Sequence, residues 1–149
     1  MPCRKTKIVS DIKLHILAIA AHPDDIELGC AGTIINHVRK GQAVGILDLT
    51  EGELGTRGTV ATRYEEAANA AKVMGVSIRE NAQMADGFFR NDEEHQRKLI
   101  TYLRRWQPEI VLANALEDRH PDHGRGGRLI ADACFLAGLS KIETIYNGV

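Results

Sequence analysis

Short apolar runs alternate along this chain with segments of helical periodicity, and this alternation restricts the fold more than any other feature. The runs LHILAIA (14–20) and AVGILDLT (43–50) are continuous and bounded by turn-forming residues, as buried strands are. Between the runs, apolar side chains recur at the spacing of an amphipathic helix. Strands are expected at 14–20, 43–50, 77–82 and 108–115, and helices at 26–41, 60–75, 91–107 and 127–139.

Strands that alternate with helices of this length predict βαβ units. Such units build a Rossmann-like α/β fold, in which a parallel sheet carries helices on both faces. We expect all 149 residues to form a single domain. The usual strand order, 3-2-1-4, makes the first and fourth strands neighbours. No further strand follows the fourth βα unit, so the domain is expected to be incomplete at its C-terminal side.

The composition excludes several classes of function. A net charge of −1 gives no basic surface for nucleic acid or an anionic membrane. No apolar run is long enough to cross a bilayer, and the first residues contain no signal-peptide core. Cys3, Cys30 and Cys134 are far apart and odd in number, which favours free thiols in the cytoplasm.

Two His-Pro-Asp motifs each follow a predicted strand. AHPDD (21–25) comes after the first strand, and HPDH (120–123) comes after the fourth. In a doubly wound sheet, ligands bind at the carboxyl ends of the strands, near the point where the strand order reverses. The two motifs, almost a hundred residues apart in the chain, are therefore expected to face one crevice.

The residue types in these motifs suit a catalytic metal site. A catalytic zinc ion takes three imidazole or carboxylate ligands and leaves one position open to water. Adjacent carboxylates on a turn point in different directions, so one of Asp24 and Asp25 can bind metal while the other acts as a base. Two structural alternatives remain open here: either aspartate can cap the following helix, and His120 and His123 can belong to a solvated loop.

The quoted motifs resemble those of a known family. AHPDD and HPDH on this α/β layout are similar to the PIG-L/LmbE-like zinc-dependent N-deacetylases, which act on N-acetylglucosamine-type sugars. The segments LDLTEGELGTRGT and EDRHPDH look most like the branch that deacetylates N-acetylglucosaminyl malate in bacillithiol biosynthesis. The resemblance runs from about His15 to the end of the chain.

The resemblance implies a role for each motif residue. One zinc ion per chain is held by three ligands, namely His22, Asp25 and His123. Asp24 is then the general base, and His120, paired with Asp122, stabilises the oxyanion or protonates the leaving amine. The resemblance also makes Arg57 and Arg119 substrate-binding residues.

Other expectations concern partners and rival functions. A small amino-sugar substrate is expected, and an open sheet edge favours a homo-oligomer. A non-catalytic zinc-binding module is one rival, and a nucleotide-binding α/β module is another, although the chain lacks G-x-G-x-x-G. We expect the remaining acidic and imidazole groups near the motifs to be solvated or structural: Glu27, Glu51, Glu53, His15, His37 and His95.

Overall fold

The structure, a computed structural model, describes residues 12–145 as one parallel sheet flanked by helices; Cys3 lies outside the described residues. In chain order the elements are β1 (Ile16–Ala20), α1 (Asp25–Arg39), β2 (Val44–Thr50), α2 (Val60–Met74), β3 (Ile78–Met84), α3 (Glu93–Trp106), β4 (Ile110–Ala113) and α4 (Pro121–Ala137). The strand order is β3-β2-β1-β4, and every pair is parallel. The predicted fold class and strand order are confirmed.

Alternate residues of β1 face the two sides of the sheet. Ile16 and Ala18 pack with α1 and α2 in one apolar cluster. Leu17 and Ile19 pack with α3 and α4 in the other cluster, which includes the fully buried Trp106. Because β1 is covered on both faces and paired on both edges, its sequence is continuously apolar.

The register brings the carboxyl ends of three strands together. Ala20 of β1 pairs with Asp48 of β2, and Ile19 pairs with Ala113 at the end of β4. The backbone N–H of Thr50 also donates to the carbonyl of Ala21 at 3.0 Å. Any polar residue that directly follows β1 or β4 is therefore held at the same edge of the sheet.

Helix α4 begins at Pro121 rather than at residue 127, so its predicted start is wrong. The glycines after the second motif look like loop residues in the sequence, but they lie inside the helix. Gly127 shows why glycine is needed: a Cβ there would lie 2.6 Å from the Asn114 carbonyl oxygen. The glycine lets α4 approach the chain that leaves β4, and this places the HPDH segment on the first helical turn.

The strand β4 pairs only with β1 among the described residues, so its other edge is open. Ile110 at the start of β4 is exposed, as are Phe135 and Leu139 on or just after α4. An open strand edge is a surface on which another chain can pair. None of the helices in the described part of the chain is long and apolar enough to span a membrane.

Substituting Gly127 with alanine tests the close approach of α4. We expect Gly127→Ala to lower the free energy of unfolding by about 1–3 kcal/mol, because the new methyl group meets backbone atoms that cannot rotate away. Gly32→Ala is the matched control, since its Cβ would meet no atom within 4 Å and alanine favours a helix by about 0.5–1 kcal/mol. Urea unfolding measures both; equal effects would contradict the packing argument.

Candidate metal centre

His22 lies at the carboxyl end of β1, where carboxylates from other elements contact its ring. Its Nε2 is 3.0 Å from Asp86 Oδ1 and 3.3 Å from Asp122 Oδ2. Its Nδ1 is 3.5 Å from Asp25 Oδ2. The residue is only 9% exposed, so these contacts are poorly screened by water and stronger than they would be at the surface.

Asp25 connects the two motifs. Its Oδ2 accepts from the backbone N–H of His22 at 3.1 Å, and its Oδ1 lies 3.2 Å from His123 Nε2. Asn114, the first residue after β4, donates to Asp25 Oδ2 at 3.4 Å and accepts from the backbone N–H of Ala21 at 2.9 Å. The three residues predicted as ligands are therefore brought together, and the ends of β1 and β4 are bonded to each other.

The second motif lies on the first turn of α4. His120 is the N-cap residue, and its Nδ1 accepts from the backbone N–H of Asp122 at 3.2 Å. Asp118 accepts from the backbone N–H of His120 at 2.8 Å and lies 3.3 Å from His123 Nδ1. The ring centroids of His120 and His123 are 4.8 and 5.5 Å from that of His22. The solvated-loop alternative is therefore wrong for this motif.

Two groups of side chains in this cluster can hold a metal ion. One ring nitrogen from each of His22, His120 and His123 lies within 4.8 Å of the other two. His22 also forms a second group with carboxylate oxygens of Asp86 and Asp122, within the same distance. Neither group contains Asp25, whose carboxylate lies between His22 and His123. Imidazole nitrogen and carboxylate oxygen are ligands that zinc takes in catalytic sites. The donor chemistry therefore fits zinc.

The electrostatics of the cluster favour positive charge. Burial lowers the pKa of His22, but Asp25 and Asp86 outweigh it and raise that pKa to about 9. For Asp25 burial raises the pKa, yet hydrogen bonds from His22 and the charge of His123 lower it overall. Burial raises the pKa of Asp86, but the hydrogen bond from the Leu54 N–H and the charge of His22 lower it overall. A metal ion that binds His22 at neutral pH must therefore displace a proton.

Asp24 occupies the N-cap position of α1 without capping the helix. Its side chain makes no capping hydrogen bond, and the residue is exposed. Asp25 directs its carboxylate to His22 and His123 instead of to the helix N–H groups. The helix-cap alternative is therefore not observed, and the Asp24 carboxylate is free of α1.

The pairing of His120 with Asp122 differs from the one expected. The backbone N–H of Asp122 donates to Nδ1 of His120. The Asp122 carboxylate accepts instead from the Gly87 N–H and from Arg125 Nη1, both at 2.9 Å. The same carboxylate contacts His22, and the residue is 1% exposed. Because α4 already begins at this motif, Asp122 lies on the helix and its side chain turns into the protein.

The two predicted substrate-binding arginines lie outside the cluster. Arg57 and Arg119 are both exposed, and no hydrogen bond or ion pair within residues 12–145 joins either side chain to the three histidines. A different arginine lies against the glycine-rich loop, residues 51–59 between β2 and α2: a Cβ at Gly52 would lie 2.5 Å from Arg63 Nη1. Gly52, with φ +64°, leaves the space that this guanidinium occupies.

Sequence reasoning missed three polar residues of the cluster, Asp86, Asn114 and Asp118. Asn114 directly follows β4, and Asp86 follows β3 by two residues. The rule that singled out His22, a polar residue at the carboxyl end of a strand, applies to both. The weak apolar pattern of β3 hid its end, and Asp118 carries no signal beyond its place before a helix start.

Two of the glutamates that were expected to be solvated or structural have partners in the structure. Glu53 Oε1 accepts from the backbone N–H of Asp86 at 2.7 Å, which ties the glycine-rich loop to the cluster. Glu27 forms an ion pair with Arg79, whose side chain is only 7% exposed. Glu53 is exposed and Glu27 is half-buried, so both have structural partners while keeping contact with solvent, as expected.

Comparison with known proteins agrees with this geometry. The family model described as "PIG-L: GlcNAc-PI de-N-acetylase" matches residues 17–134. That range contains both His-Pro-Asp motifs and nearly the whole of the sheet. The chain belongs to the PIG-L family.

Individual relatives include more than one kind of enzyme. The diacetylchitobiose deacetylase of Thermococcus kodakarensis is 33% identical over 90% of this chain and 54% of its own length. The 4-oxalmesaconate hydratase of Pseudomonas putida is 30% identical over 91% of this chain and 57% of its own. The crystal structure of the conserved protein TT1542 from Thermus thermophilus superposes with a TM-score of 0.85 at 42% identity, covering 91% of this chain and 61% of that one. The chain spans just over half the length of the two enzymes.

Substituting Asp86 tests whether its carboxylate orients the His22 ring for metal binding. We expect Asp86→Ala to weaken zinc binding by about 10- to 100-fold, as loss of a carboxylate that orients a metal-binding histidine does. Asp86→Asn keeps an acceptor oxygen and should lose less. Asp132→Ala, a change at an exposed carboxylate of α4, is the control. Competition with a chromophoric chelator gives the affinities; unchanged affinity in Asp86→Ala would refute the role.

Proposed function

We propose that this chain carries the metal site of a zinc-dependent N-deacetylase that acts on an N-acetylglucosamine conjugate. The observation that carries the proposal is the convergence of His22, Asp25 and His123. Asp24, next to Asp25 in the chain, is exposed and makes no capping hydrogen bond to α1. The description of the matching family and the name of the Thermococcus relative support deacetylation of a sugar. The imidazole and carboxylate donors support zinc.

The proposed mechanism assigns one task to each side chain. A zinc ion held by His22, Asp25 and His123 would lower the pKa of water and polarise a carbonyl oxygen. Asp24 takes a proton from the attacking water and delivers it to the amine nitrogen as the C–N bond breaks. His120 donates a hydrogen bond to the oxygen on which negative charge develops. The products are acetate and a free amino sugar.

The proposed role of the buried Asp122 carboxylate is to fix the orientation of the His22 ring. The Asp122 carboxylate contacts His22, the Gly87 N–H and Arg125. These contacts join the end of β1, the segment that follows β3, and the first turns of α4. A reacting geometry needs side chains that are fixed before substrate arrives. Asp122 is therefore proposed as a residue that holds His22, rather than as the partner of His120.

The sequence resemblance proposes a more specific substrate. N-acetylglucosaminyl malate, as in bacillithiol biosynthesis, would present carboxylates to guanidinium groups such as Arg57 and Arg119. Both arginines are exposed and could contact a bound conjugate. These two contacts, together with a cytoplasmic location, stay predictions.

Metal content and turnover together test the proposed function. We expect about one zinc ion per wild-type chain and its loss in both His22→Ala and His123→Ala. Asp24→Asn should retain zinc and lose acetate release by about 10²- to 10⁴-fold, because only the proton acceptor is removed. Elemental analysis and acetate detection with N-acetylglucosamine conjugates provide the measurements.

Each contrary result has a distinct meaning. Zinc that survives both histidine substitutions would refute the ligand set, and full activity in Asp24→Asn would refute the base. Stoichiometric zinc without acetate release from any conjugate would favour the non-catalytic zinc-binding module. Hydration of an unsaturated acid by the same protein would favour the chemistry of the Pseudomonas relative.

We also propose that the protein forms a homo-oligomer through the open edge of β4. The exposed Ile110 on this edge strand and the exposed Phe135 on α4 support this proposal. Sedimentation of the wild type should show a dimer or a larger species. Ile110→Lys, which places a charge on the edge strand, should shift the population to monomer. A monomeric wild type at all concentrations would contradict self-association.

A further inference from the structure

Two carboxylates contact the same ring nitrogen of His22. Its Nε2 lies 3.0 Å from Asp86 Oδ1 and 3.3 Å from Asp122 Oδ2. An ionised carboxylate can only accept a hydrogen bond, so Nε2 must carry the hydrogen atom. A neutral imidazole has one protonated nitrogen and one nitrogen with a free lone pair. These contacts therefore leave Nδ1, which lies 3.5 Å from Asp25 Oδ2, as the nitrogen of His22 that can bind a metal ion.

Both carboxylates are positioned around the backbone of Gly87. Asp86 directly precedes this glycine, and Asp122 Oδ2 accepts from the Gly87 N–H at 2.9 Å. Arg125 Nη1 donates to the Gly87 carbonyl oxygen at 3.0 Å and to Asp122 Oδ1 at 2.9 Å. Asp122 and Arg125 are three residues apart on α4, so they lie on the same face of the helix. The helix therefore holds the N–H and the carbonyl of Gly87, and Arg125 joins the second of these contacts to the Asp122 carboxylate.

The guanidinium of Arg125 is itself held in place. Its Cζ lies 5.4 Å from the centre of the Phe89 ring, which is within range of a cation–π contact. Phe89 is fully buried in the core cluster that packs against α4. Arg125 thus has a fixed aromatic ring beside its guanidinium and two hydrogen-bond acceptors for Nη1. An arginine with such contacts can orient a carboxylate without first ordering its own side chain.

Arg125 also distinguishes the two groups of side chains that can hold a metal ion. Asp122 belongs to the group that it forms with His22 and Asp86. The guanidinium at 2.9 Å already compensates the charge of Asp122, so it competes with a metal ion for this carboxylate. The carboxylate of Asp25 is contacted instead by imidazole rings. The charge of Arg125 therefore favours a metal ion on the Asp25 side of the His22 ring.

We propose that Arg125 is a positioning residue of the metal centre. Its hydrogen bonds hold Asp122 and Gly87 so that Nε2 of His22 is occupied and Nδ1 is presented to the metal ion together with Asp25. Arg125 touches neither the metal nor the substrate in this role, and it acts through the Asp122 carboxylate. The proposal rests on the ligand set proposed above and does not depend on which reaction the metal ion serves.

Substituting Arg125 with methionine tests the role, because methionine keeps part of the apolar side chain and removes the guanidinium. We expect Arg125→Met to weaken zinc binding by about tenfold, as loss of a group that orients a metal ligand does. Arg125→Lys keeps the charge but not the planar guanidinium, so it should recover only part of the affinity. Arg128→Met, the same change at an exposed arginine of α4, should have no effect. Competition with a chromophoric chelator gives the affinities, and urea unfolding verifies that each variant is folded.

A double-mutant cycle tests whether Arg125 acts through Asp122. Residues in one hydrogen-bond network have non-additive effects, whereas independent residues have additive ones. In an Asp122→Asn background, Arg125→Met should therefore lose most of its effect on zinc affinity. Nitrogen-15 NMR of the histidine rings in the zinc-loaded protein adds a measurement that general destabilisation does not change. The wild type should show His22 with hydrogen on Nε2 and the metal ion on Nδ1, and Arg125→Met should exchange this Nε2 hydrogen with water faster.

The outcomes distinguish this proposal from the proposed function. Wild-type zinc affinity in Arg125→Met, full recovery in Arg125→Lys, an equal loss in Arg128→Met, or an undiminished loss in the Asp122→Asn background would each overturn the positioning role. Zinc on Nε2 of His22 in the wild type would also overturn it and would leave a zinc site. All the expected affinities without acetate release would keep the role of Arg125 and remove the deacetylase. Acetate release together with unchanged zinc affinity in Arg125→Met would do the opposite.

Discussion

The candidate site depends on the contact of one buried imidazole with carboxylates from different parts of the chain. His22 follows the central strand β1, while Asp86 follows β3 and Asp122 lies on the first turn of α4. Buried carboxylates are costly unless paired or bound to a cation, so such a group persists only where each charge is compensated. Protonated His22 supplies part of this compensation, and Arg125 supplies more at Asp122. A divalent cation would supply what the proton on His22 now supplies, which is why the same cluster fits metal binding.

The topology explains how these groups reach one another. A parallel sheet directs all its carboxyl ends to one edge, and the 3-2-1-4 order places β4 beside β1. Gly127 then lets α4 approach closely enough for its first turn to meet the end of β1. Asn114 bonds the two strand ends through Ala21 and Asp25. Backbone packing and side-chain chemistry are therefore not separable here, since a shift of α4 moves Asp122 and two histidines together.

Much of this arrangement could be predicted from the sequence, and the failures have physical causes. Apolar continuity marks β1 because it is buried on both faces, and the polar residues after it mark the site. The same rule overlooked Asp86 because β3 is only half buried and its pattern is weak. The start of α4 was misjudged because glycines that serve close packing resemble loop glycines. Glu27 and Arg79 are 52 residues apart in the chain, and no local pattern reveals such a pair.

The relatives include both a deacetylase and a hydratase, so similarity to these relatives does not by itself determine the reaction. Both kinds of enzyme add water to an unsaturated carbon, and they differ in where the proton must go. Amide cleavage requires a group that first accepts a proton and then gives it to a departing amine. Asp24 is exposed and makes no capping hydrogen bond to its helix, whereas the buried carboxylates of Asp86 and Asp122 accept hydrogen bonds from backbone N–H groups. The contrast between Asp24 and these two buried carboxylates therefore supports the proposed deacetylase over a hydratase.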